Sequence, residues 1–267
     1  MRRIVSSDKF VLFGYFILII LAGAILLSLP SAWNGQGRLS RLDALFTATS
    51  AVCVTGLITV DTASYSRFGQ TVILFLIQFG GLGVITFTTI YLIIPGLRIS
   101  LNKSRMIRAY YMGTVEQNPA RIIRNILLFT ICIETAGALF LYFRFSAAGT
   151  PASLFTAVFH SVSAFCNAGF STFSDSLAGF AGNSFLLLIV MGLIVSGGLS
   201  FVVIQELAIG VWRRRYRITY HTKIVVTMTF LLLAGGCAMF YLFEAENLLA
   251  PLRSEEHTSE LQSPNTI

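Results

Sequence analysis

The sequence has 267 residues, of which 55% are hydrophobic and only 12% are charged. A soluble domain of this length needs a polar surface that such a composition does not provide, so most of the chain is predicted to contact lipid. The net charge of +7 does not indicate nucleic-acid binding, because most of the 19 lysines and arginines flank apolar runs. The four cysteines form no CxxC pair, which argues against a zinc site or a disulfide framework.

Five apolar segments are long enough to cross a bilayer as helices. The first segment has the position of a signal peptide, but residues 29–32 offer only a weak small-residue cleavage site, so a retained helix is predicted. The chain is therefore predicted to be an all-α, multi-pass membrane protein. In chain order, the predicted membrane segments are residues 10–29, 68–95, 122–145, 184–211 and 222–243.

Three groups of basic residues set the predicted orientation. They lie at residues 2–9, 98–124 and 213–223. Basic residues beside transmembrane helices favour the cytoplasmic side, so these groups and the N-terminus are predicted to face the cytoplasm, in the inner (cytoplasmic) membrane. Membrane lipid is an expected partner of the arginines at 213–217, although their first role is to set the topology.

Two shorter segments, residues 41–60 and 151–172, are apolar but rich in Thr, Ser, Gly and Asn. The orientation of the basic groups requires each segment to enter and leave the membrane on the outer side, so both are predicted to be re-entrant loops. Irregular backbone at membrane depth is tolerated where it lines a watery cavity, which indicates a pore. A short helix is predicted in each segment. The first is predicted to start at Ser40, with Asp43 completing a capping-box-like pattern, and the second at Thr150 as N-cap, with Pro151 as the first helical residue.

The two short segments also resemble each other. Residues 46–56 align without gaps to residues 159–169, and Phe, Ser, Ala, Cys and Gly recur at matching places. Because each is preceded and followed by a membrane helix, the chain is predicted to consist of tandem parallel helix–pore loop–helix repeats. The predicted divisions are 1–113 and 114–220 for two complete repeats, and 221–252 for the first helix of a third.

The end of each short helix carries residues suited to cation passage. A helix C-terminus has partial negative charge, and the carbonyl oxygens after it can replace a cation's hydration shell. Glycine adopts unusual backbone angles and adds no side chain. The predicted filter consists of Cys53, Val54, Thr55, Gly56, Cys166, Asn167, Ala168 and Gly169. The hydroxyl groups predicted to support it belong to Thr49, Ser50, Ser161 and Ser163.

Residues 46–57 and 159–170 resemble the first two pore loops of potassium uptake subunits of the Trk/Ktr/HKT superfamily. Residues 78–83, Gln-Phe-Gly-Gly-Leu-Gly, resemble the stretch that follows the first loop in that family. Over roughly residues 5–250, the resemblance implies the N-terminal half of a Ktr-type subunit, which is not an enzyme and has four repeats around one pore. In this family, glycine at the place of Gly56 goes with potassium, whereas serine goes with sodium-permeable plant relatives.

The resemblance also implies the ions and the partners. Potassium is expected as the transported ion, bound by backbone carbonyls of the filter residues, with sodium as the candidate coupling ion and no cofactor. The expected partners are a cytosolic nucleotide-binding regulatory subunit and a second copy of the full-length chain. Nucleic acid is not an expected partner.

Two alternatives stay open. A secondary transporter of another small solute would use broken helices, although parallel repeats with matched loops argue against its usual inverted symmetry. Residues 253–267 read like a translated sequencing adapter and are predicted to be a non-native tail, in which case the chain as written is an inert fragment. An intramembrane enzyme is not supported, because the HExxH and GxSxG motifs are absent from the sequence.

Several polar or small residues are predicted to have structural roles. The pairs Gly80-Gly81 and Gly197-Gly198 predict close helix packing rather than a nucleotide-binding loop. Glu134 is predicted to pair with another side chain within the helix bundle, because its helix is expected to pack away from the pore. The side chain of His160 is predicted to be packed and hydrogen-bonded.

Overall fold

The computed structural model describes residues 2–93, 119–147, 153–212 and 218–244. Within these ranges the regular secondary structure is helical, and the one β-type contact is a bridge between Trp33 and Tyr65. The predicted all-α fold class is confirmed for these residues. The α-helices of the described ranges are α1 (Arg2–Leu27), α2 (Arg41–Val52), α3 (Arg67–Ile93), α4 (Pro119–Ala147), α5 (Leu154–Phe165), α6 (Ser184–Gly198), α7 (Phe201–Trp212) and α8 (Tyr220–Glu244).

Helices α1, α3, α4 and α8 coincide with four of the five predicted membrane segments, and α1 begins earlier than predicted, at Arg2. By length and apolar composition, the described residues contain two helices able to cross a membrane, Ile123–Ala147 and Tyr220–Glu244. A third span is added if α6 and α7 form one broken span. The basic residues at 98–108 and 213–217, and the predicted tail at 253–267, lie outside the described residues.

The remaining predicted segment, residues 184–211, is not one continuous helix. Helix α6 ends at Gly198, the backbone of Leu199 is extended (φ −79°, ψ 142°), and α7 begins at Phe201. Glycine disfavours helix because it loses more conformational freedom than other residues on folding. Gly197 also lies against the carbonyl of Phe165, so tertiary packing holds the end of α6 in place.

Up to Ile204 the described residues form one compact unit. In this unit α1, α2 and α3 pack together, α4, α5 and α6 pack together, and α3 contacts both α4 and α5. Two small residues allow the long helices to approach closely. A Cβ at Gly23 would lie 2.6 Å from the Leu76 side chain, and one at Gly137 would lie 2.7 Å from the Leu193 side chain. The short helix α2 thus lies against α1 and α3, and the short helix α5 lies against α3, α4 and α6.

From Gln205 onward the described residues form a second unit. Here Glu206 of α7 binds the residue before α8. Glu206 Oε2 accepts hydrogen bonds from the backbone amide of Thr219 at 3.2 Å and from the Thr219 hydroxyl at 2.8 Å. Most apolar side chains of α8 are exposed, including Leu232 at 75% and Phe230 at 69%. Such a surface suits a helix surrounded by lipid or by further helices.

The short helices α2 and α5 have 12 residues each and begin at a serine cap. Ser40 caps α2, as predicted. The predicted start of α5 at Thr150 and Pro151, which lie outside the described residues, is wrong, because the N-cap of α5 is Ser153. Serine caps a helix as well as threonine does, and Ser153 Oγ also accepts a hydrogen bond from Arg67 of α3 at 2.9 Å. This tertiary contact favours the later start.

Candidate functional site

Loop 1 (residues 53–57) follows α2, and loop 2 (residues 166–170) follows α5. Both helices end in the same way, since the second residue of each loop has left-handed backbone: φ is 56° at Val54 and 58° at Asn167. Glycine and asparagine are the usual residues at such a helix end, because they tolerate this conformation. Valine is β-branched, so the left-handed backbone of Val54 is strained and is held by the surrounding structure.

Backbone hydrogen bonds close both helix ends in Schellman geometry. In loop 1 the amide of Thr55 donates to the carbonyl of Ser50 at 3.0 Å, and in loop 2 the amide of Ala168 donates to the carbonyl of Ser163 at 2.7 Å. These bonds satisfy carbonyls that a helix end otherwise leaves unpaired. The two loops therefore turn at equivalent places in the sequence.

Loops 1 and 2 meet at their glycines. Gly56 and Gly169 have φ angles of 72° and 73°. A Cβ at Gly56 would lie 2.6 Å from the carbonyl oxygen of Ala168 and 3.2 Å from the Cα of Gly169, and a Cβ at Gly169 would lie 3.3 Å from the Cα of Gly56. The positive φ and the close approach both require a residue without a side chain. The structure thus brings the predicted filter segments into contact at this pair.

The predicted filter residues differ in exposure between the two loops. Cys53 and Thr55 of loop 1 are exposed. In loop 2, Asn167 is exposed, but Cys166 is half-buried and Ala168 is fully buried. Loop 2 is therefore backed by protein more closely than loop 1.

Two of the four predicted supporting hydroxyl groups contact the loops. Ser50 Oγ lies 2.9 Å from Thr55 Oγ1, which is within hydrogen-bond distance. Ser163 Oγ donates to the carbonyl of Phe170 at 2.6 Å. Both serines stand in the last turn of a short helix, so each one ties the loop back to the helix that precedes it.

Thr49 and Ser161 hold helices rather than loops. Thr49 Oγ1 donates to the carbonyl of Leu45 within α2 at 2.7 Å. Ser161 Oγ donates to the carbonyl of Glu134 in α4 at 2.7 Å, and it is completely buried. Ser161 therefore fixes the position of α5 against α4.

The glycine pairs of α3 and α6 bring these helices against the ends of the short helices. Gly80 lies against the carbonyl of Val52, the last residue of α2, and Gly197 lies against the carbonyl of Phe165, the last residue of α5. A side chain at either glycine would overlap the carbonyl. The predicted close packing at these glycines is confirmed, and it occurs directly before each loop.

Tyr65 anchors the connection between loop 1 and α3. Its hydroxyl donates to Thr47 Oγ1 of α2 at 3.1 Å, and its ring lies edge-on to Trp33 with the ring centroids 5.1 Å apart. Burial raises the pKa of the Tyr65 hydroxyl above its ordinary value. The group therefore stays protonated at neutral pH and remains a donor to α2.

Two polar residues behind loop 2, Gln78 and Glu134, accept weak hydrogen bonds from the thiol of Cys166. Gln78 Nε2 of α3 donates to Glu134 Oε2 of α4 at 2.9 Å, and Cys166 Sγ lies 3.8 Å from Gln78 Oε1 and 4.0 Å from Glu134 Oε1. The predicted pairing of Glu134 within the bundle is confirmed. Glu134 lies close to loop 2, because Cys166 is the first residue of that loop. In the sequence, the signal for this contact is the carboxyl group of Glu134 inside an apolar segment. That its helix packs away from the pore stays a prediction.

A cavity of about 270 Å³ borders loop 2, and its lining includes His160, Asn167, Gly169 and Ser171. His160 is buried, its Nδ1 lies 2.8 Å from the carbonyl of Thr156, and its Nε2 lies 2.9 Å from Ser171 Oγ. Since a carbonyl can only accept, Nδ1 carries the proton. The predicted packed and hydrogen-bonded histidine is confirmed, and it forms one wall of a space large enough for several water molecules.

In the part of the chain that the structure describes, His, Cys, Asp and Glu side chains form no group of three that would hold a metal ion. The oxygen atoms that loops 1 and 2 offer are backbone carbonyls, the hydroxyl group of Thr55 and the side-chain amide oxygen of Asn167. Such ligands can replace a hydration shell without a fixed charge nearby.

The helical fold and the apolar helices define a multi-pass membrane protein. The family model for TrkH, cation transport protein, matches residues 3–258. The chain therefore belongs to the TrkH family of cation transport proteins, which are transporters and not enzymes.

Curated relatives cover most of this chain. It is 38% identical over 235 residues to the Ktr system potassium uptake protein B of Vibrio alginolyticus. This alignment covers 87% of this chain and 51% of that protein. It is 37% identical over 237 residues to the Ktr system potassium uptake protein B of Bacillus subtilis, with coverages of 88% and 52%. It is 35% identical over 249 residues to the potassium/sodium uptake protein NtpJ of Enterococcus hirae, with coverages of 92% and 54%. The chain thus spans about half the length of these relatives.

Proposed function

We propose that the chain forms the first half of a potassium-translocating membrane subunit, in which loops 1 and 2 supply half of a carbonyl-lined selectivity filter. The observation that carries this proposal is the contact between Gly56 and Gly169, in two loops of matching backbone geometry. Two such turns that meet without side chains between them can present carbonyl oxygens to a single ion. The C-terminal ends of α2 and α5 add partial negative charge at the same place, which favours a cation.

The paired contacts support tandem helix–pore loop–helix repeats in one orientation. Gly23 of α1 meets Leu76 of α3 in the way that Gly137 of α4 meets Leu193 of α6. Parallel repeats are related by an axis along the membrane normal, which is the symmetry of a central pore. The proposed divisions are 1–113 and 114–220 for the two repeats, 221–252 for the first helix of a third, and 253–267 for a non-native tail.

Potassium is the proposed transported ion, and two of the relatives above are named potassium uptake proteins. It would be bound by backbone carbonyls of the eight filter residues, with Ser50 and Ser163 holding the loops in place. Thr49 and Ser161 would contribute only by fixing α2 and α5. Sodium is the proposed coupling ion.

The proposed setting is the inner (cytoplasmic) membrane, with the N-terminus in the cytoplasm. The basic residues at 2–9 beside α1 support this orientation. A cytosolic nucleotide-binding regulatory subunit and a homodimeric membrane part are the proposed partners. The name "Ktr system", carried by relatives at 37% and 38% identity, supports a multi-component assembly.

A second candidate function is uptake of both potassium and sodium. It is supported by the 35% identity to a relative that is named a potassium/sodium uptake protein. The two candidates differ in the ratio of potassium to sodium uptake. The resemblance of residues 46–57 to pore loops in which glycine at the place of Gly56 goes with potassium favours the potassium-selective candidate.

Growth of a potassium-uptake-deficient bacterial strain at low potassium tests the proposal. The complete gene that carries this sequence is expressed together with its regulatory partner. The unmutated protein is expected to restore growth, and Gly56→Ser is expected to weaken the rescue and the preference for potassium. Gly37→Ser is the matched control, because Gly37 also has φ 72° but has no neighbouring atom within 4 Å of an added Cβ. Normal membrane insertion of the unmutated protein without potassium uptake would contradict the proposal.

A further inference from the structure

A buried polar pair lies behind loop 2. Glu134 is only 7% exposed, and its carboxyl accepts from Gln78 Nε2 at 2.9 Å. Gln78 belongs to α3 and Glu134 to α4, so the bond joins the two proposed repeats. Cys166 lies against both side chains, with its Sγ 3.8 Å from Gln78 Oε1 and 4.0 Å from Glu134 Oε1.

The residue of α1 equivalent to Glu134 is apolar. Gly23 of α1 and Gly137 of α4 occupy equivalent positions, because each meets a leucine of the next long helix in its own group. Three residues before these glycines stand Ile20 and Glu134. Ile20 packs into the hydrophobic cluster around α2, and Cys53 of loop 1 is exposed. The second group of helices therefore has a carboxyl group where the first group has an apolar side chain.

Three contacts converge on Cys166. Besides Gln78 and Glu134, Gly81 of α3 faces it, since a Cβ at Gly81 would lie 2.9 Å from Cys166 Sγ. Cys166 caps the C-terminus of α5 and starts the turn that leads to Gly169. A shift of this residue would move the carbonyls that follow it, because the Schellman bonds tie them to the same helix end.

We propose that Gln78 and Glu134 are positioning residues for loop 2, and that the hydrogen bond between them holds Cys166 in place and thereby sets ion selectivity. This inference rests on the proposed permeation function. If the donor is removed, the buried carboxyl loses its bond while remaining out of water, which is costly. The helices α3 and α4 then relax, and the packing against Cys166 loosens.

Three variants of the complete protein test the bond through the ratio of potassium to sodium uptake. Gln78→Leu removes the donor, Glu134→Leu removes the acceptor, and Glu134→Gln keeps an oxygen that accepts from Gln78. The two leucine variants are expected to lower the uptake ratio about fivefold, which corresponds to a loss of about 1 kcal/mol in the discrimination between the two ions. Glu134→Gln is expected to retain most of the ratio.

Gln70→Leu is the matched control for Gln78→Leu. Gln70 lies on the same helix and is also buried, but it donates to the carbonyl of Thr62 at 3.2 Å, away from loop 2. This variant is expected to keep the uptake ratio of the unmutated protein. A loss equal to that of Gln78→Leu would show that any buried polar defect in α3 disturbs selectivity, and it would overturn the proposed specific role.

Labelling of Cys166 with a membrane-permeant thiol reagent tests the contact without requiring transport. The background for this measurement replaces the other cysteines by alanine at Cys53, Cys132 and Cys237. In this background, Cys166 is expected to react faster when Gln78→Leu is added. Its rate is expected to stay unchanged when Gln70→Leu is added instead. The absence of potassium uptake in the unmutated protein would refute the proposed function, while the labelling rates still decide whether Gln78 shields Cys166.

Two results would overturn the proposal. One is an unchanged labelling rate together with an unchanged uptake ratio in both leucine variants. The other is a loss of selectivity in Glu134→Gln as large as in Glu134→Leu, because the charge of Glu134, rather than its bond to Gln78, would then be responsible.

Discussion

Replacement of Gly56 by alanine tests whether the two loops require a contact without side chains. Gly56 has φ 72°, and left-handed backbone costs a residue with a Cβ about 1 to 2 kcal/mol. The new Cβ would lie 2.6 Å from the carbonyl oxygen of Ala168. Because that atom belongs to backbone, a whole loop has to move, and such overpacking costs about 1 to 3 kcal/mol. Gly56→Ala is therefore expected to destabilise the protein by about 2 to 5 kcal/mol.

Two other glycines separate the backbone cost from the packing cost. Gly37 has φ 72° and no neighbouring atom within 4 Å of an added Cβ, so Gly37→Ala carries the backbone cost alone. Gly169 has φ 73°, and its added Cβ would lie 3.3 Å from Gly56 Cα, a contact that a small shift relieves. The expected order of destabilisation is Gly56→Ala, then Gly169→Ala, then Gly37→Ala.

Thermal unfolding of the purified complete protein in detergent measures this order, and potassium and sodium uptake measures its consequence. Gly56→Ala is expected to lower both the unfolding temperature and the preference for potassium, whereas Gly37→Ala lowers the unfolding temperature slightly and leaves the preference unchanged. Equal effects of Gly56→Ala and Gly37→Ala in both assays would refute the reasoning, because the loop contact would then contribute nothing.

Three further substitutions test the loop supports. Val54→Asn is expected to raise the unfolding temperature, because asparagine tolerates left-handed backbone better than valine; a lower unfolding temperature would argue against strain at this residue. Ser163→Ala removes the donor to the carbonyl of Phe170 and is expected to cost about 1 to 3 kcal/mol and to reduce the potassium-to-sodium uptake ratio; an unchanged ratio would remove Ser163 from the filter support. Gly80→Ala is expected to abolish accumulation of folded protein, because the methyl group would overlap the carbonyl at the end of α2; normal amounts in an immunoblot of membranes would contradict this helix contact.

Much of the fold follows from the apolar segments alone. In lipid, a run of about 20 apolar residues satisfies its backbone groups by forming a helix, which is why α3, α4 and α8 agree with the predicted segments. The loop positions follow from residue type. Gly56 and Gly169 end matching stretches of sequence, and the structure has positive φ at both.

The remaining features depend on contacts between distant segments. No local pattern reveals the break after Gly198, because the matching pair Gly80-Gly81 makes the same kind of contact inside the continuous helix α3. The N-cap of helix α5 is Ser153 rather than Thr150, and Ser153 accepts a hydrogen bond from Arg67, 86 residues earlier in the sequence. The proximity of Glu134 to loop 2 depends in the same way on how α4 packs against α5.

The most direct test of the central claim is the ratio of potassium to sodium flux through the purified complete protein in liposomes, measured for the unmutated chain and for Gly56→Ser. If loops 1 and 2 form half of a potassium filter, the unmutated protein conducts potassium in preference to sodium, and Gly56→Ser brings the two fluxes closer together. No preference in the unmutated protein, or an identical ratio in Gly56→Ser at equal amounts of folded protein, would contradict the assignment of the filter to these loops.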